Sequence, residues 1–416
     1  MRKFYAVLMA ASQAHARWEL EVSHSILRSK KRMLILLALA LPAILVSLAV
    51  AGDVMPAILG GKKAYTPAFY TPGIFAVSIV IGLFAGLITG CIGAGGGFII
   101  TPALMSAGIK GILAVGTDLF HIFAKAIMGT AVHKKLGNVS PKLAVAFLVG
   151  SLCGVIGGGV VNRTLYEINP VLSDTFISAI YVVLLGFLGF YAMNDFLKLR
   201  KKDNSGDAHG SGSADGQGLS SKLQAVNLPP MITFDEDLVP GGKQISGVFV
   251  AMCGAFVGFV AAIMGVGGGF LTFPMFVYIL GVSSFTTVGT DIFQIIFTAG
   301  FASITQYAIY GFIFYTLAMG MLIGSLLGIQ LGALTTRVVK GIYIRGFYAT
   351  AILAGFINRL FALPAKLQEM DMLDISPEFA RALSTFGNYA FFVVVTIFAL
   401  WVITKFVTNI PTLRRD

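Results

Sequence analysis

The sequence has little charge and little cysteine. Only 12% of its 416 residues are charged and 56% are hydrophobic, whereas roughly a quarter of the residues in an ordinary soluble domain are charged. Cys91, Cys153 and Cys253 are an odd number of cysteines without metal-ligand spacing, so we interpret them as apolar packing residues. This composition excludes an ordinary soluble domain and a small domain held together by disulfides.

Motifs for catalysis are also missing. The sequence contains no nucleophile and base pair, no metal-binding cluster and no nucleotide-phosphate loop with its lysine. We therefore expect no enzymatic activity, no metal and no cofactor. Without an ATPase signature, any transport by this chain would draw on gradients of ions or of substrate.

The chain is instead rich in apolar runs, and its mean hydropathy is +0.85. Runs of about twenty residues recur, each long enough to cross a hydrocarbon core of roughly 30 Å. The net charge of +11 comes from basic runs at the ends of these segments, as the positive-inside rule predicts, so a nucleic-acid partner is not expected. The sequence predicts an all-α polytopic membrane protein with about 10–12 membrane segments.

Three motifs occur twice in the same order: a glycine run followed by a proline, a Val-Gly-Thr-Asp run and a Gly-Ser-Leu run. Their positions are 93–98 and 265–270, 115–118 and 288–291, and 150–152 and 324–326. The offset between the copies grows only from 172 to 174 residues, so two single-residue insertions explain it. The chain therefore contains two copies of one unit.

These repeats divide the sequence into parts. They are a cytoplasmic N-terminal extension (1–32), an N-terminal transmembrane segment (33–51), repeat 1 (74–197), a flexible cytoplasmic linker (198–244), repeat 2 (245–361) and a C-terminal transmembrane segment (387–409). The linker is predicted from its Gly, Ser and Asp content, which leaves little apolar surface to bury. Segment 33–51 is either a retained span or a cleaved signal peptide, and the long region before it favours retention.

The distribution of charge predicts a topology. If all five apolar segments of each repeat cross the membrane, the basic clusters fall on one side and the acidic region 362–386 on the other. If the glycine-bearing segments at 93–109 and 265–281 only dip in and return, this separation is lost. The charge rule favours full crossing. Because five is an odd number, the two repeats would then have inverted topology.

A glycine run inside a membrane segment lets the backbone leave one helix and begin another at Phe98 or Phe270, whose amino end is partially positive. Two such ends meeting near the midplane would form an anion site. Alternatively, glycines only allow close helix packing, which is our interpretation of Gly82, Gly86, Gly154, Gly186 and Gly324. The predicted substrate site consists of Gly93, Gly95, Gly96, Gly97, Thr101, Thr117, Asp118, His121, Lys125, Gly265, Gly267, Gly268, Gly269, Thr272, Thr290, Asp291 and Gln294.

Asp118 and Asp291 are matched acids within apolar segments, where a charge costs at least ~2.5 kcal/mol. Each could accept hydrogen bonds from a broken helix or carry a coupling proton. A Thr-Asp pair ahead of an apolar run is also a good helix N-cap. The sequence leaves both roles open. Arg359, by contrast, is expected near the membrane interface.

His121 and Lys125 follow Asp118 on one helical face, three and seven residues later. Their counterparts in repeat 2 are Gln294 and Thr298, so the predicted site is symmetric in shape but not in charge. Lys125 is either a residue of the site or a lysine that snorkels toward the interface.

The paired glycine runs, the paired Val-Gly-Thr-Asp runs and the two-repeat layout resemble the TauE/SafE family of sulfite and organosulfonate exporters. The resemblance covers about 74–361 and is specific for the family, not for a substrate. It implies a plasma-membrane carrier that exports small sulfur-containing or carboxylate anions, with protons as a candidate coupling ion. The family's motif positions fall on Gly93, Gly95, Gly96, Gly97, Thr117, Asp118, Gly265, Gly267, Gly268, Gly269, Thr290 and Asp291.

The leading hypothesis is a multi-pass secondary transporter of small anions in the plasma (inner) membrane. Its expected partners are the anionic substrate and the lipid bilayer, and a homodimer is one of the oligomeric states left open. The alternative is a non-transporting scaffold or signalling protein that acts through the linker, and a channel is a third reading. Two matched buried acids favour the carrier, because a scaffold gains nothing from burying them.

Overall fold

The computed structural model describes residues 72–92, 96–136, 140–204, 215–235, 242–335, 339 and 341–409. Repeat 1 comprises α1 (Pro72–Ile92), α2 (Gly97–Ser106), α3 (Gly111–Leu136), α4 (Pro141–Ile168) and α5 (Pro170–Asn204). Between the repeats lie α6 (Asp215–Gln224), β1 (Met231–Phe234) and β2 (Lys243–Ser246).

Repeat 2 has the same order of helices. It comprises α7 (Gly247–Met264), α8 (Gly269–Pro274) with a π-helical turn at Met275–Leu280, α9 (Ser284–Phe301) with a π-helical extension at Ala302–Ala308, α10 (Tyr315–Thr335) and α11 (Gly341–Glu369). A last helix, α12, spans Pro377–Thr408. The predicted apolar segments of both repeats therefore coincide with helices.

Seven of the described helices are long and apolar enough to cross a membrane, namely α1, α4, α5, α7, α10, α11 and α12. This confirms the all-α polytopic class. The predicted span at 33–51 lies outside the described residues, and the total of 10–12 segments stays a prediction. Helix α2 has ten residues and is about 15 Å long, so it is too short to cross a core of roughly 30 Å by itself.

Corresponding helices of the two repeats run antiparallel. Between α3 and α9, Gly116 packs against Tyr307 and Phe123 packs against Gly300. Between α5 and α11, Gly189 packs against Leu353, whereas Phe196, further along α5, packs against Gly346, earlier in α11. In both pairs the residue number rises on one helix as it falls on the other, which is consistent with inverted-topology repeats.

The first and fourth helices pair across the repeats, α1 with α10 and α4 with α7. Their backbones touch at glycines, where a Cβ atom would overlap the partner: Gly82 with Met321, Gly324 with Ile79, Gly154 with Ala255 and Gly258 with Ser151. Only small residues permit this approach, which supplies the dispersion contacts that hold membrane helices together. The packing interpretation of these glycines agrees with the structure.

Part of the predicted flexible linker is structured. Strands β1 and β2 pair antiparallel, with Ile232 opposite Ile245 and Phe234 opposite Lys243. Phe234 and Ile245 are fully buried, so this short hairpin docks on the helices through its apolar residues. Helix α6, strand β1 and the start of β2 therefore lie within the region that we predict to be a linker.

Candidate functional site

The two glycine runs break the chain at corresponding points. In repeat 2, α7 ends at Met264, and Gly265, Gly267 and Gly268 have φ angles of 79°, 65° and 89° before α8 begins. In repeat 1 Gly96 has a φ angle of 68° directly before α2. Residues with side chains rarely adopt such angles, so glycine is needed at each break. Gly93 and Gly95 lie outside the described residues.

After the break in repeat 1 the chain folds back on itself. Gly96 lies against Ala85 and Thr89 of α1, and Thr101 of α2 bonds to Asp118 of α3. Consecutive helices α1, α2 and α3 therefore alternate in direction. The predicted new helices begin at Gly97 and Gly269, each one residue earlier than expected from the sequence.

The two broken segments meet each other. A Cβ atom at Gly97 would lie 2.9 Å from the Val266 Cα, and a Cβ atom at Gly265 would lie 2.8 Å from the Thr101 Oγ1. The rings of Phe98 and Phe270 are 6.0 Å apart between centroids. The amino ends of α2 and α8 therefore adjoin.

In the first half of the site, Asp118 and His121 lie side by side with no exposed surface. The Thr101 Oγ1 donates to the Asp118 Oδ2 at 3.1 Å, and the His121 Nε2 lies 3.0 Å from the Ser325 Oγ of α10. The facing atoms, Asp118 Oδ1 and His121 Nδ1, are 3.6 Å apart. Within the described part of the chain neither of these two atoms has a hydrogen-bond partner, which is costly for buried polar atoms.

Lys125 completes this half of the site. Its ammonium donates to the Thr89 Oγ1 at 3.2 Å, and that oxygen would lie 2.6 Å from a Cβ atom at Gly96. The partly buried lysine therefore places its charge beside the first glycine break.

In the second half, an amide and a hydroxyl replace the imidazole of His121 and the ammonium of Lys125. The Gln294 Nε2 donates to the Asp291 Oδ1 at 2.9 Å, and Thr298 donates to the Gln294 Oε1 at 2.7 Å. The Thr272 hydroxyl donates to the Gly268 carbonyl at 3.0 Å. The Asp291 Oδ2 would lie 3.3 Å from a Cβ atom at Gly269. Asp291 is therefore hydrogen-bonded within its repeat and faces the start of α8.

Neither aspartate caps a helix. Helix α3 begins at Gly111 and α9 at Ser284, so Asp118 and Asp291 each lie about two turns inside their helices. The N-cap of α9 is Ser283, whose side chain accepts from the Thr286 N–H. The N-cap alternative left open by the sequence is therefore wrong.

Thr117 and Thr290 connect the repeats. The Thr117 Oγ1 accepts the N–H of Phe314, just before α10, at 2.9 Å. The Thr290 Oγ1 accepts the N–H of Ser140, just before α4, at 3.1 Å. These matched bonds satisfy backbone groups at helix starts, a different role from the predicted donation to an anion.

Sequence reasoning missed other polar residues of this region. Ser325 contacts His121, and its counterpart Ser151 lies 2.8 Å from Thr298. The duplicated Gly-Ser-Leu run was the available signal, because its serines recur at matched positions. Arg359 is only 3% exposed and donates to the Pro102 carbonyl at 3.2 Å, so its side chain packs inside the protein, and its position near the membrane interface stays a prediction.

No three side chains of the kinds that hold metals converge in the part of the chain that the structure describes. The chemical capacity of the site lies in two helix amino ends, two carboxylates, one imidazole and one ammonium. Such groups can bind an anion and exchange protons.

Comparison with known proteins agrees with this architecture. The family model described as "Sulfite exporter TauE/SafE" matches residues 78–359. The chain is similar to two proteins of Bacillus subtilis strain 168. It is 25% identical to "Probable membrane transporter protein YjnA" over 62% of this chain and 89% of that protein. It is 26% identical to "Probable membrane transporter protein YunE" over 63% and 89%, respectively.

A third relative is archaeal. The chain is 22% identical to "Probable membrane transporter protein MJ0441" of Methanocaldococcus jannaschii over 47% of this chain and 59% of that protein. No solved structure matches the chain. The family match covers more than half of the sequence and includes both glycine breaks and both aspartates. The chain therefore belongs to the TauE/SafE sulfite exporter family of membrane transporters.

Proposed function

We propose that this protein is a secondary transporter that exports small sulfur-containing or carboxylate anions, such as sulfite or sulfonates, across the plasma membrane. The observation that carries the proposal is the meeting of the two broken helices at Gly97 and Val266. There the amino end of α2 adjoins that of α8, and both ends carry partial positive charge. The family name of the match supports the substrate class.

Lys125 provides a full positive charge close to the proposed anion site. Its ammonium lies beside the first glycine break through Thr89, and its counterpart Thr298 is neutral. An anion at the helix ends would therefore interact with one full positive charge and two partial ones. Charge-assisted bonds of this kind are roughly twice as strong as neutral ones.

The Asp118 and His121 pair suits a coupled proton. The two atoms that face each other, Oδ1 and Nδ1, are 3.6 Å apart, and a proton on either would be adjacent to the other. A proton bound here would cancel negative charge next to the substrate. Binding of the anion and of the proton would then favour each other, which is the requirement for their joint transport.

Flux measurements in proteoliposomes test the proposal. Purified protein is reconstituted with sulfite, sulfoacetate or sulfate inside, with and without an inwardly directed proton gradient. We expect saturable efflux of at least one sulfur-containing anion, with a rate that changes with the gradient. Protein-free liposomes give the leak. Monodisperse protein that moves none of these anions in either condition would refute the anion-transport proposal.

A matched pair of glycine variants ties the flux to the site. Gly97→Ala places a Cβ atom 2.9 Å from the Val266 Cα, whereas Gly157→Ala meets only the Phe259 ring at 3.6 Å, an ordinary contact. We expect Gly97→Ala to lose flux and Gly157→Ala to retain it. Equal flux in both variants would argue against a site at the helix breaks. The predicted homodimer stays open and is tested by the mass of the detergent-solubilised protein.

A further inference from the structure

Residues of the predicted linker make hydrogen bonds to the start of α9. Asp235 directly follows β1 and is 6% exposed. Its Oδ2 accepts the N–H of Ser283 at 2.8 Å, and its Oδ1 accepts the hydroxyls of Ser283 at 2.7 Å and Thr286 at 2.5 Å. Asp235 therefore fixes the first turn of α9, the helix that carries Asp291 and Gln294.

Two other linker residues bind the segment just before α9. The Gln224 side chain of α6 donates to the Leu280 carbonyl at 2.8 Å, and the Lys243 ammonium of β2 donates to the Gly281 carbonyl at 3.2 Å. Gly281 has a φ angle of 73°, and a Cβ atom there would lie 2.6 Å from the Gln224 Nε2. These donors satisfy carbonyls at the carboxyl end of the second broken segment, which have no partners within their own helix.

Among the described residues, side chains of α5 and α11 fix the corresponding loop of repeat 1. There the Asp174 Oδ1 of α5 accepts the N–H of Gly111 at 2.7 Å, and Arg359 of α11 donates to the Ser106 Oγ at 2.8 Å. An aspartate thus accepts a backbone N–H at the start of α3 and of α9 alike. In repeat 1 it belongs to a membrane helix, and in repeat 2 it belongs to the connection between the repeats.

We propose that Asp235 is a positioning residue for transport, and that the linker sets the placement of α8 and α9 through Asp235, Gln224 and Lys243. Strand β1 also packs on α4 of repeat 1, so the same hairpin bridges both repeats. The linker thereby couples the second half of the site to the first. This inference rests on the proposed function, because it concerns the site that we assign to the anion.

Hydrogen exchange tests the structural part. In Asp235→Ala we expect the backbone N–H groups of 281–287 to exchange roughly tenfold faster, because a charge-assisted bond to a backbone group is lost. Residues 108–114 should not change. Asp174→Ala is the matched control and should show the reverse pattern. Gln244→Ala alters an exposed side chain of the same hairpin and should change neither region.

Transport kinetics test the positioning role. We expect the KM of Asp235→Ala to rise by about three- to tenfold, because displaced groups at α8 and α9 bind the anion less well. A merely structural role would reduce the amount of active protein and leave KM unchanged. Asp235→Glu, which keeps the carboxylate, should recover part of the loss.

The outcomes separate this inference from the proposed function. Unchanged exchange at 281–287 in Asp235→Ala, or faster exchange with an unchanged KM, would overturn the inference. A wild-type protein that moves no anion would refute the proposed function. The exchange data would still decide whether Asp235 holds α9.

Discussion

Repeat 1 and repeat 2 contribute corresponding side chains to the centre of the molecule, and these side chains differ in charge. Asp118, His121 and Lys125 of α3 correspond to Asp291, Gln294 and Thr298 of α9. Both helices contact a matched serine of the opposite repeat, but from positions one turn apart: His121 contacts Ser325, whereas Thr298, the counterpart of Lys125, contacts Ser151. The duplicated backbone thus provides a similar frame in both repeats, whereas the imidazole and the ammonium group lie in repeat 1.

The comparison predicts unequal effects for the two aspartates. Asp118→Asn should reduce flux by roughly 100-fold, because it removes a buried carboxyl group that faces His121 and could carry the coupled proton. Asp291→Asn should cost about tenfold, since Gln294 can reorient its amide to satisfy the new side chain. Initial rates in proteoliposomes, normalised to folded protein, measure both. Equal losses of flux would show that the two aspartates have equivalent roles. Normal flux in both variants would show that neither aspartate belongs to the site.

Alanine substitutions at the glycine breaks should be equally damaging in the two repeats. Gly265→Ala puts a Cβ atom 2.8 Å from the Thr101 Oγ1 and 2.9 Å from the Val115 Cα, and its positive φ angle costs about 1–2 kcal/mol more. Gly96→Ala has a similar φ angle and should behave alike. We expect flux to fall by roughly tenfold or more and the melting temperature to fall in both variants. Gly157→Ala is the control and should have a normal melting temperature. A Gly265→Ala variant with a normal melting temperature and normal flux would show that the break does not need glycine at this position.

Moving the positive charge of Lys125 from repeat 1 to repeat 2 tests whether both repeats bind the anion. Lys125→Thr should raise KM by roughly tenfold, because one charge-assisted interaction with the anion is lost. The double variant Lys125→Thr with Thr298→Lys places the charge on the corresponding position of α9. Partial recovery of KM would show that the helix ends of both repeats bind the substrate. If Lys125→Thr leaves KM unchanged, Lys125 has no part in binding.

The sequence was sufficient to predict those features that depend on local chemistry. The duplicated glycine runs predicted breaks whose new helices begin within one residue of Gly97 and Gly269, because φ angles near 70° require glycine. The apolar segments matched the helices because length and apolarity alone define a membrane span.

Contacts between residues that are far apart in the chain could not be predicted from the local sequence pattern. Thr117 bonds to Phe314, and Arg359 bonds to Pro102, although the residues of each pair are about half of the chain apart. The capping role suggested for Asp118 followed from its neighbours in sequence, yet α3 begins seven residues earlier. The order in the linker also escaped prediction, since Asp235 finds its partners Ser283 and Thr286 only in the folded protein.

The smallest effect is expected for Thr117 and Thr290, whose hydroxyls form hydrogen bonds between the repeats. Thr117→Val and Thr290→Val each remove the acceptor of one backbone N–H at the start of a helix, before α10 and α4 respectively. Each variant should lose about 1 kcal/mol of stability, and the two losses should be similar because the bonds occupy corresponding positions. KM should stay within the range of the wild type, because each hydroxyl oxygen is occupied by a backbone N–H group and not by the anion. Thermal unfolding in detergent and flux measurements on the same preparations check this. A raised KM with normal melting would instead place these threonines in the substrate site, as the sequence suggested. The same residues would then both connect the repeats and bind the anion.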